Sequence, residues 1–350
     1  MSDPQTDDAS VRLDEAEAPQ VKAARTPWYR SRALRWCSWA ATAAVWVYAL
    51  IRLFGLETGW ILVTTIAFVP YVAGAALIGA GIQAALRHWR AAIVTVAAAL
   101  AMAAVIAPRA LPDEQPVAEG AELRVLSVNA YVGTANLEYI VELVDRYEPD
   151  LLSIQELTPG AYEELADLGL EERMPHVIAE PAELAVGTGL YSLHPLERLE
   201  SSEPDGIFYQ IAAEATLPDG SKARFMAVHT AAPARPERIP QWEADFAQLP
   251  RPVGDVPWVL AGDFNATLDH RLLREAVEWG YTDAAETTGE GLAATWRPIE
   301  GGYLGGFVRP PAVTLDHVLV DERIAVSDFE VLEKDGSDHA PVLATIRLPE

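Results

Sequence analysis

Three long apolar segments near the start of the chain constrain its fold more than any other feature. They cover about residues 34–55, 60–86 and 91–107, and each approaches or exceeds the roughly 17–25 residues that cross a bilayer. Trp and Tyr cluster near their ends, as in the interfacial belts of membrane proteins. A buried helical bundle in a soluble protein is one alternative, but too few polar residues remain to coat it. A cleavable signal peptide is another, but three segments follow one another. We therefore predict three transmembrane helices over residues 33–107.

The basic residues predict how these helices are oriented. Residues 1–32 are polar, end in a basic cluster and are expected to form a disordered cytoplasmic tail. Arg87 and Arg90 separate the second and third apolar segments. Because basic loops remain in the cytoplasm, the chain that follows the third segment is expected outside the membrane. Residues 108–120 are rich in proline and predict a linker, which leaves residues 121–350 as an extracytoplasmic domain.

This outer domain carries most of the acidic residues of a chain whose formal net charge is −25. Such a domain is a poor electrostatic match for nucleic acid, which proteins bind by neutralising phosphates with Lys and Arg. The single cysteine, Cys37, lies in the first apolar segment. The outer domain is therefore expected to rely on a hydrophobic core without disulfides, and it is long enough to bury one.

An apolar run from Val256 to Ala261 illustrates the pattern of the outer domain. The run predicts a short buried strand, and Gly262 then allows a turn that delivers Asp263 and Asn265 at a spacing of two residues. A carboxylate and an amide on one side of a strand end can orient a water or bind a metal, and can donate to a phosphate oxygen. The plainer interpretation is an Asp-Asn turn that ends a strand.

Strand-like and helical patterns alternate through residues 121–350, which predicts an α/β fold. Several polar residues fall at or just after the ends of the predicted strands, where α/β sheets assemble their sites. These candidates are Asn129, Glu156, His229, Asp263 and Asn265, followed near the C-terminus by Asp316-His317 and Asp338-His339.

The candidate residues favour an oxygen-ligand metal site. Four carboxylates and two asparagines suit Mg²⁺ or Mn²⁺, whereas no cysteine pair and no zinc-binding His-Glu-x-x-His helix is present. Each residue also has a plainer explanation on its own. Glu156 is compatible with a solvated helix start, His229 with a hydrogen-bonded structural histidine, and Asp316 with an edge-strand polar residue.

Taken together, the motifs resemble the endonuclease/exonuclease/phosphatase superfamily, which includes deoxyribonuclease I, neutral sphingomyelinases and inositol polyphosphate 5-phosphatases. The resemblance implies an α/β, two-sheet αββα sandwich for the outer domain. One departure is at Leu193-His194, where many relatives carry a basic residue, so a phosphate contact made there in the family is in doubt here. The matching stretches are Ser127-Val128-Asn129, Gln155-Glu156, Thr188 to Leu196, Val228-His229, Gly262-Asp263-Phe264-Asn265, Leu315-Asp316-His317 and Ser337-Asp338-His339.

The resemblance implies a role for each residue. Asn129, Glu156 and Asp338 are expected to hold the divalent metal, Mg²⁺ or Mn²⁺. Asp263 would orient or deprotonate the attacking water, Asn265 would contact a phosphate oxygen, and His229 would stabilise developing charge. His339 would contact the phosphate or act as acid or base, with Asp316 accepting a hydrogen bond from its ring and raising its pKa.

The arrangement of short N-terminal spans before a catalytic domain looks like the VanJ-type, teicoplanin-resistance branch of this superfamily. That branch implies a lipid-linked, undecaprenyl-type pyrophosphate of the cell-wall cycle as substrate. Three hypotheses remain open at this point: a membrane-tethered phosphatase of such a lipid, an outer-surface nuclease or phospholipid phosphodiesterase, and a non-catalytic binding protein on the same fold.

Overall fold

The computed structural model describes residues 31–199, 208–299 and 309–350. All but the last two residues of the predicted cytoplasmic tail lie outside the described residues. The helices are α1 Arg32–Phe54, α2 Gly59–Ile66, α3 Val69–Ala85, α4 Trp89–Ile106, α5 Leu137–Tyr147, α6 Pro159–Asp167, α7 Leu170–Arg173, α8 Ile239–Ala247, α9 Arg271–Glu278 and α10 Ala284–Thr288. The strands are β1 Glu122–Asn129, β2 Leu151–Gln155, β3 His176–Glu180, β4 Thr188–Ser192, β5 Leu196–Arg198, β6 Ile211–Thr216, β7 Lys222–His229, β8 Trp258–Asp263, β9 Tyr281–Asp283, β10 Asp316–Asp321, β11 Ala325–Val331 and β12 Val342–Arg347.

The strands form two mixed six-stranded sheets, with the orders β11-β12-β1-β2-β4-β3 and β5-β6-β7-β8-β10-β9. Buried residues such as Val125, Leu151 and Val259 fill the space between the sheets. Helices cover both outer faces: α5 and α6 pack on the first sheet, and α8 and α9 pack on the second. This architecture confirms the predicted αββα sandwich.

The apolar N-terminal region forms helices, as predicted, but its middle segment is broken. Helix α1 and the stretch Trp89–Ala110 are each long and apolar enough to cross a membrane. Helices α2 and α3 meet at a bend of 80°, so together they form either a broken span or a re-entrant loop. The described residues therefore contain two or three candidate spans, which is compatible with a membrane anchor.

Polar side chains join the three longer helices to one another at the end of the bundle away from the sandwich. The Gln83 amide donates to the carbonyl of Ser38 and to the hydroxyl of Thr42, each over 3.1 Å. The Thr95 hydroxyl donates to Gln83 Oε1 over 3.0 Å. Hydrogen bonds of this kind hold apolar helices in register where the surroundings offer no water.

The opposite end of the bundle is attached to the sandwich through one buried carboxylate. Arg52, near the end of α1, places Nε 2.5 Å from Asp269 Oδ1, and Arg109, after α4, places Nη2 2.7 Å from the same oxygen. All three side chains are at least nine-tenths buried. Arg109 also accepts a backbone hydrogen bond from Gly291 over 3.0 Å. Helices α1 and α4 thus both point their C-terminal ends at the segment that follows β8.

Candidate active site

Strand pairing brings the predicted residues to one edge of the sandwich. Strands β1 and β2 are parallel, so Asn129 at the end of β1 lies beside Glu156, which directly follows β2. Strands β7 and β8 are also parallel and place His229 opposite Asp263. Strand β10 runs antiparallel to β8 and begins with Asp316 opposite Asp263.

Asp263 lies at the centre of this group. The Asn129 amide donates to Asp263 Oδ2 over 3.1 Å and approaches Glu156 Oε1 at 3.3 Å. The Nε2 atoms of His339 and His229 lie 3.6 and 3.9 Å from the same Asp263 oxygen. The Asn265 amide also donates to this oxygen, over 3.2 Å, so one buried carboxylate oxygen faces two amides and two imidazoles.

The backbone on either side of Asp263 requires the particular residues Gly262 and Asn265. A Cβ atom on Gly262 would lie 1.9 Å from the carbonyl oxygen of Val228, so only glycine permits the close approach of β7 and β8. Asn265 has a left-handed φ of 44°. Its backbone N–H donates to Asp263 Oδ1 over 2.8 Å, and its side-chain amide donates to the carbonyl of Thr230 over 2.8 Å. These bonds stabilise an uncommon backbone conformation.

His339 contacts the carboxylate that the sequence analysis assigned to it. The ring Nδ1 lies 2.9 Å from Asp316 Oδ2 and 3.1 Å from Oδ1, which leaves Nε2 directed at Asp263. Burial alone would lower the pKa of His339, but the carboxylates of Asp316 and Asp263 outweigh it and raise this pKa to about 10. The imidazole is therefore protonated at neutral pH.

The pKa of His229 is shifted in the opposite direction from that of His339. Burial, followed by repulsion from His339, lowers the pKa of His229 to about 3. Its Nδ1 atom has no hydrogen-bond partner among the described residues, and its ring packs edge-on against Phe208 at a centroid distance of 4.6 Å. His229 is therefore neutral, so it can act on a phosphate only as a hydrogen-bond donor or acceptor and not as a cation.

Two carboxyl groups of the site have pKa values above their usual range. Burial raises the pKa of Asp263 to about 7, although the neighbouring His339 opposes this shift. Burial also raises the pKa of Glu156, again against the influence of His339. Such raised values mark carboxylates that gain from a nearby cation or proton.

The chemistry of this group fits a divalent cation. Ligand atoms of Asp263, Asp316 and His339 lie within 4.8 Å of one another. Two of the three residues predicted as metal ligands, Glu156 and Asp338, line the same cavity as Asp263 and His339, and the third, Asn129, contacts Glu156. Carboxylate and amide oxygens are the ligands that Mg²⁺ and Mn²⁺ prefer, and a cation would relieve the desolvation of these carboxylates.

A cavity of about 430 Å³ contains most of the predicted site. Six of the predicted residues line it: Glu156, His229, Asp263, Asn265, Asp338 and His339. The other two, Asn129 and Asp316, do not line the cavity but contact residues that do. Three residues of the N-terminal helices, Thr64, Ala67 and Phe68, also line this cavity. The helical region therefore forms part of the wall of the candidate site.

Sequence reasoning missed several residues that support the site. The Trp296 indole donates to Asp338 Oδ2 over 2.9 Å, and the Thr295 hydroxyl accepts from the backbone N–H of Asp316 over 3.0 Å. Phe208 packs on His229, and Ala67 and Phe68 close one wall. Of these features, only the bend between α2 and α3 has a signal in the sequence, because Pro70 occupies the first turn of α3, a common position for proline.

Two histidines of the matched motifs, His317 and His194, do not line the catalytic cavity. His317 donates from Nδ1 to Asp283 over 2.6 Å and from Nε2 to the carbonyl of Ala266 over 2.9 Å, on the other face of β10 from Asp316. His194 pairs with Asp150 at 3.0 Å. Asp150 precedes β2, whereas Glu156 follows it, so His194 lies at the far end of that strand from Glu156.

Comparison with known proteins places this geometry in a family. A family model described as "Endonuclease/Exonuclease/phosphatase family" matches residues 126–339. D. rerio TDP2, solved as a complex with a single-strand DNA product, is 18% identical, with 65% of this chain and 99% of that chain covered at a TM-score of 0.52. A family protein from Leptotrichia buccalis is 13% identical, with 65% and 100% covered at a TM-score of 0.50.

The endonuclease/exonuclease/phosphatase from Beutenbergia cavernae is 19% identical, with 65% of this chain and 72% of that chain covered at a TM-score of 0.48. No curated protein matches the sequence. At these identities the solved structures share the fold alone, whereas the family model covers more than half of the chain. The chain belongs to the endonuclease/exonuclease/phosphatase family.

Proposed function

We propose that this protein is a membrane-anchored, metal-dependent phosphoesterase whose substrate is a lipid-linked, undecaprenyl-type pyrophosphate. The family's enzymes are hydrolases of phosphoester bonds that generally use divalent metals. One observation supports a lipid substrate: Thr64, Ala67 and Phe68 of the apolar N-terminal helices line the same cavity as Glu156 and His339. A phosphate bound there would lie beside the membrane, where a lipid-linked phosphate resides.

Asn129, Glu156 and Asp338 would hold the metal, which we take to be Mg²⁺ or Mn²⁺. When bound, such an ion supplies a Lewis acid for the phosphate oxygens and a compensating charge. Asp263, with a pKa near neutrality, is placed to orient and deprotonate the attacking water. Its N–H···O bonds from Asn129 and Asn265 fix the direction in which its carboxylate points.

His339 and His229 would act on the phosphate in different ways. His339, protonated and supported by Asp316, would offset negative charge on the transferring phosphate or protonate the leaving oxygen. His229, which is neutral, would contribute a hydrogen bond, and Asn265 would contact a phosphate oxygen. In-line attack on a phosphate needs little more than this positioning and charge neutralisation.

We further propose a multi-pass location in the cell membrane, with the N-terminus in the cytoplasm and the catalytic domain outside. Helices α2 and α3 together are long and apolar enough to form one broken span. Because the C-terminal ends of α1 and α4 both lie near Asp269, a return crossing by α2 and α3 between them fits this arrangement. Three crossings and basic residues at Arg87 and Arg90 favour this orientation.

The same features support the VanJ-type assignment and its link to cell-wall antibiotic resistance. Hydrolysis of an undecaprenyl-type pyrophosphate outside the membrane would act directly on the lipid carrier of cell-wall synthesis. An outer-surface nuclease or phospholipid phosphodiesterase would use the same metal site. A nucleic-acid substrate is less compatible with a net charge of −25, and a purely binding function would leave the arrangement around Asp263 without a use.

The test is a substrate panel with the full-length protein in detergent or nanodiscs, supplied with Mg²⁺. We expect hydrolysis of a polyprenyl pyrophosphate, and no comparable cleavage of plasmid DNA or sphingomyelin. The His339→Ala variant serves as the inactive control. Preferred cleavage of DNA or sphingomyelin would replace the proposal with the nuclease or phosphodiesterase hypothesis, and no turnover of any substrate would favour a binding protein.

A further inference from the structure

The corner between helices α2 and α3 separates two cavities. On one side lies the catalytic cavity of about 430 Å³, which contains Asp263 and His339. On the other side lies a smaller cavity of about 260 Å³. Ala67, at the corner, and Val313, in the segment before β10, line both cavities. The two cavities are therefore neighbours that meet at these two residues.

The lining of the catalytic cavity is partly polar and partly apolar. Carboxylates and imidazoles around Asp263 form the polar part. The apolar part includes Phe68 from the helical region, Ala185 from the sandwich, and Pro233, whose carbonyl accepts a hydrogen bond from Thr64 over 2.9 Å. A phosphate group uses only the polar part, so an apolar group attached to the phosphate would be favoured against the rest of the lining.

The second cavity is predominantly apolar and borders the helix that we place in the bilayer. Helix α3 contributes Pro70 and Tyr71, and the sandwich contributes Leu268, Leu292 and Ala312. Tyr71 and Leu292 are each 46% exposed, so the cavity opens towards the surroundings of α3. The Tyr71 hydroxyl donates to the carbonyl of Ala312 over 2.7 Å and holds α3 against this part of the sandwich.

The charged residues that line this second cavity already have ion-pair or hydrogen-bond partners within the protein. Arg109 and Asp269 form the buried ion pair described above, and His317 is bonded to Asp283. None of them is free to select a charged ligand. The cavity is thus suited to a hydrocarbon group rather than to a second phosphate.

We propose that the two cavities form one binding groove for the hydrocarbon chain of a lipid phosphate. The chain starts beside Asp263, passes the two residues that line both cavities, Ala67 and Val313, and continues past Tyr71 along α3 into the bilayer. This inference rests on the proposed function, since it takes a lipid-linked phosphate as the substrate. The anchor then determines substrate selectivity by chain length, because each methylene removed from water tightens binding about fourfold.

The proposal can be tested by filling the second cavity and varying the chain. Ala312→Phe places a larger side chain there without altering any residue of the catalytic group. Prenyl pyrophosphates of increasing length, from dimethylallyl through geranyl and farnesyl to undecaprenyl, are then compared by kcat/KM. We expect an unchanged value for the shortest substrate and a loss of about tenfold for the longest.

The matched control is Ile93→Phe, a similar enlargement at a 68% exposed position of α4 that lines neither cavity. It should leave the whole length series unchanged. Equal losses at every length with Ala312→Phe, or no loss at any length, would overturn the groove while leaving the proposed function intact. Failure of the native protein to hydrolyse any prenyl pyrophosphate would instead count against the proposed function.

A crosslinking experiment on the native protein tests the groove independently of turnover and of how well the Ala312→Phe variant folds. A farnesyl pyrophosphate analogue with a photoreactive diazirine at the end of its chain is crosslinked to the protein in nanodiscs. Mass spectrometry should locate the adduct at Pro70–Tyr71 or at residues 312–313. Adducts spread over α1 and α4, with none at these positions, would show that the chain follows another path.

Discussion

His339 and Asp316 form a buried pair in which the ring Nδ1 lies 2.9 Å from the carboxylate and Nε2 remains directed at the catalytic cavity. Asp316 does not itself line that cavity, so its influence on a bound phosphate passes through the imidazole. The pair should therefore behave as a single functional unit.

We predict that His339→Ala lowers kcat by about a hundredfold or more, the typical effect of losing one well-placed electrostatic group. Asp316→Asn should lower kcat by a smaller factor and shift the pH profile, because the amide no longer favours the protonated imidazole. The double variant should be little worse than His339→Ala. Losses that multiply in the double variant would mean that Asp316 acts independently of His339.

Metal dependence gives a second prediction, centred on Glu156. A chelator should abolish activity, and Mg²⁺ or Mn²⁺ should restore it, because the carboxylates at this edge are costly to keep ionised without a cation. Glu156→Gln should weaken binding of Mn²⁺, measured by electron paramagnetic resonance, with little loss of folding. Glu142→Gln, on the exposed face of α5, is the control and should bind normally. Full activity after dialysis against chelator would contradict a metal site.

The parts of the site that depend on local sequence were predictable. Asp263 and Asn265 follow a buried strand and Gly262, the glycine that the close approach of β7 and β8 requires. This pattern is visible in the eight consecutive residues 259–266. The same holds for Asn129 and Glu156, since each directly ends an apolar strand. Their convergence follows from the geometry of parallel strands.

The contribution of the helical region could not be predicted, because it depends on contacts between residues far apart in the chain. Residues 60–86 are predominantly apolar, so hydrophobicity alone indicates one continuous span, and Pro70, at a position common for a helix start, does not give the angle of the bend. The bend at Ala67 and Phe68 is stabilised by packing on Val313 and Trp296, more than two hundred residues later. The ion pair of Arg52 with Asp269 is equally remote in sequence.

Asp245, outside the catalytic group, gives a prediction of pH-dependent stability. Its carboxylate is buried, and only one oxygen is bonded among the described residues, by the backbone N–H of Ala231 over 2.7 Å. Burial raises the pKa of Asp245 from 3.8 to about 6. The folded state therefore binds more protons than the unfolded state between these values, and its stability falls by about 3 kcal/mol as the pH rises through them.

Asp245→Asn should remove this loss, so the variant should gain thermal stability relative to the native protein at pH 7.5 but not at pH 4. Thermal unfolding in detergent at several pH values measures the difference. Other titrating groups, including Asp263, contribute equally to both proteins and cancel. Parallel curves for the two proteins would show that Asp245 is not the group responsible.

Membrane topology is open to a direct test with sandwich fusions of a reporter that is active only outside the cytoplasm. Three crossings predict activity for fusions in the loop after Phe54 and at the C-terminus, and no activity for a fusion at Arg87. A re-entrant α2–α3 pair would instead leave Arg87 outside and the C-terminus inside. That result would overturn the proposed side of the membrane for the catalytic domain.

The buried ion pairs between the helical region and the sandwich give the last prediction. Burial would raise the pKa of Asp269, but Arg109 and Arg52 hold this pKa below its usual value, so the carboxylate is ionised between two arginines. Asp269→Asn leaves two buried cations without their anionic partner and should cost about 3–5 kcal/mol of stability. Activity should fall as well, because Asp269 lies four residues after Asn265 in the segment that follows β8.

The exposed ion pair of Arg173 and Asp145, with an N···O distance of 2.5 Å, provides the matched control, and Asp145→Asn should barely change the midpoint of thermal unfolding. A triple variant, Arg52→Met with Arg109→Met and Asp269→Leu, should recover most of the lost stability, because an apolar cluster replaces unpaired charges. Recovery of stability without recovery of kcat would show that the charged cluster positions the catalytic segment. If Asp269→Asn behaves like Asp145→Asn, the two regions are not held together at this point.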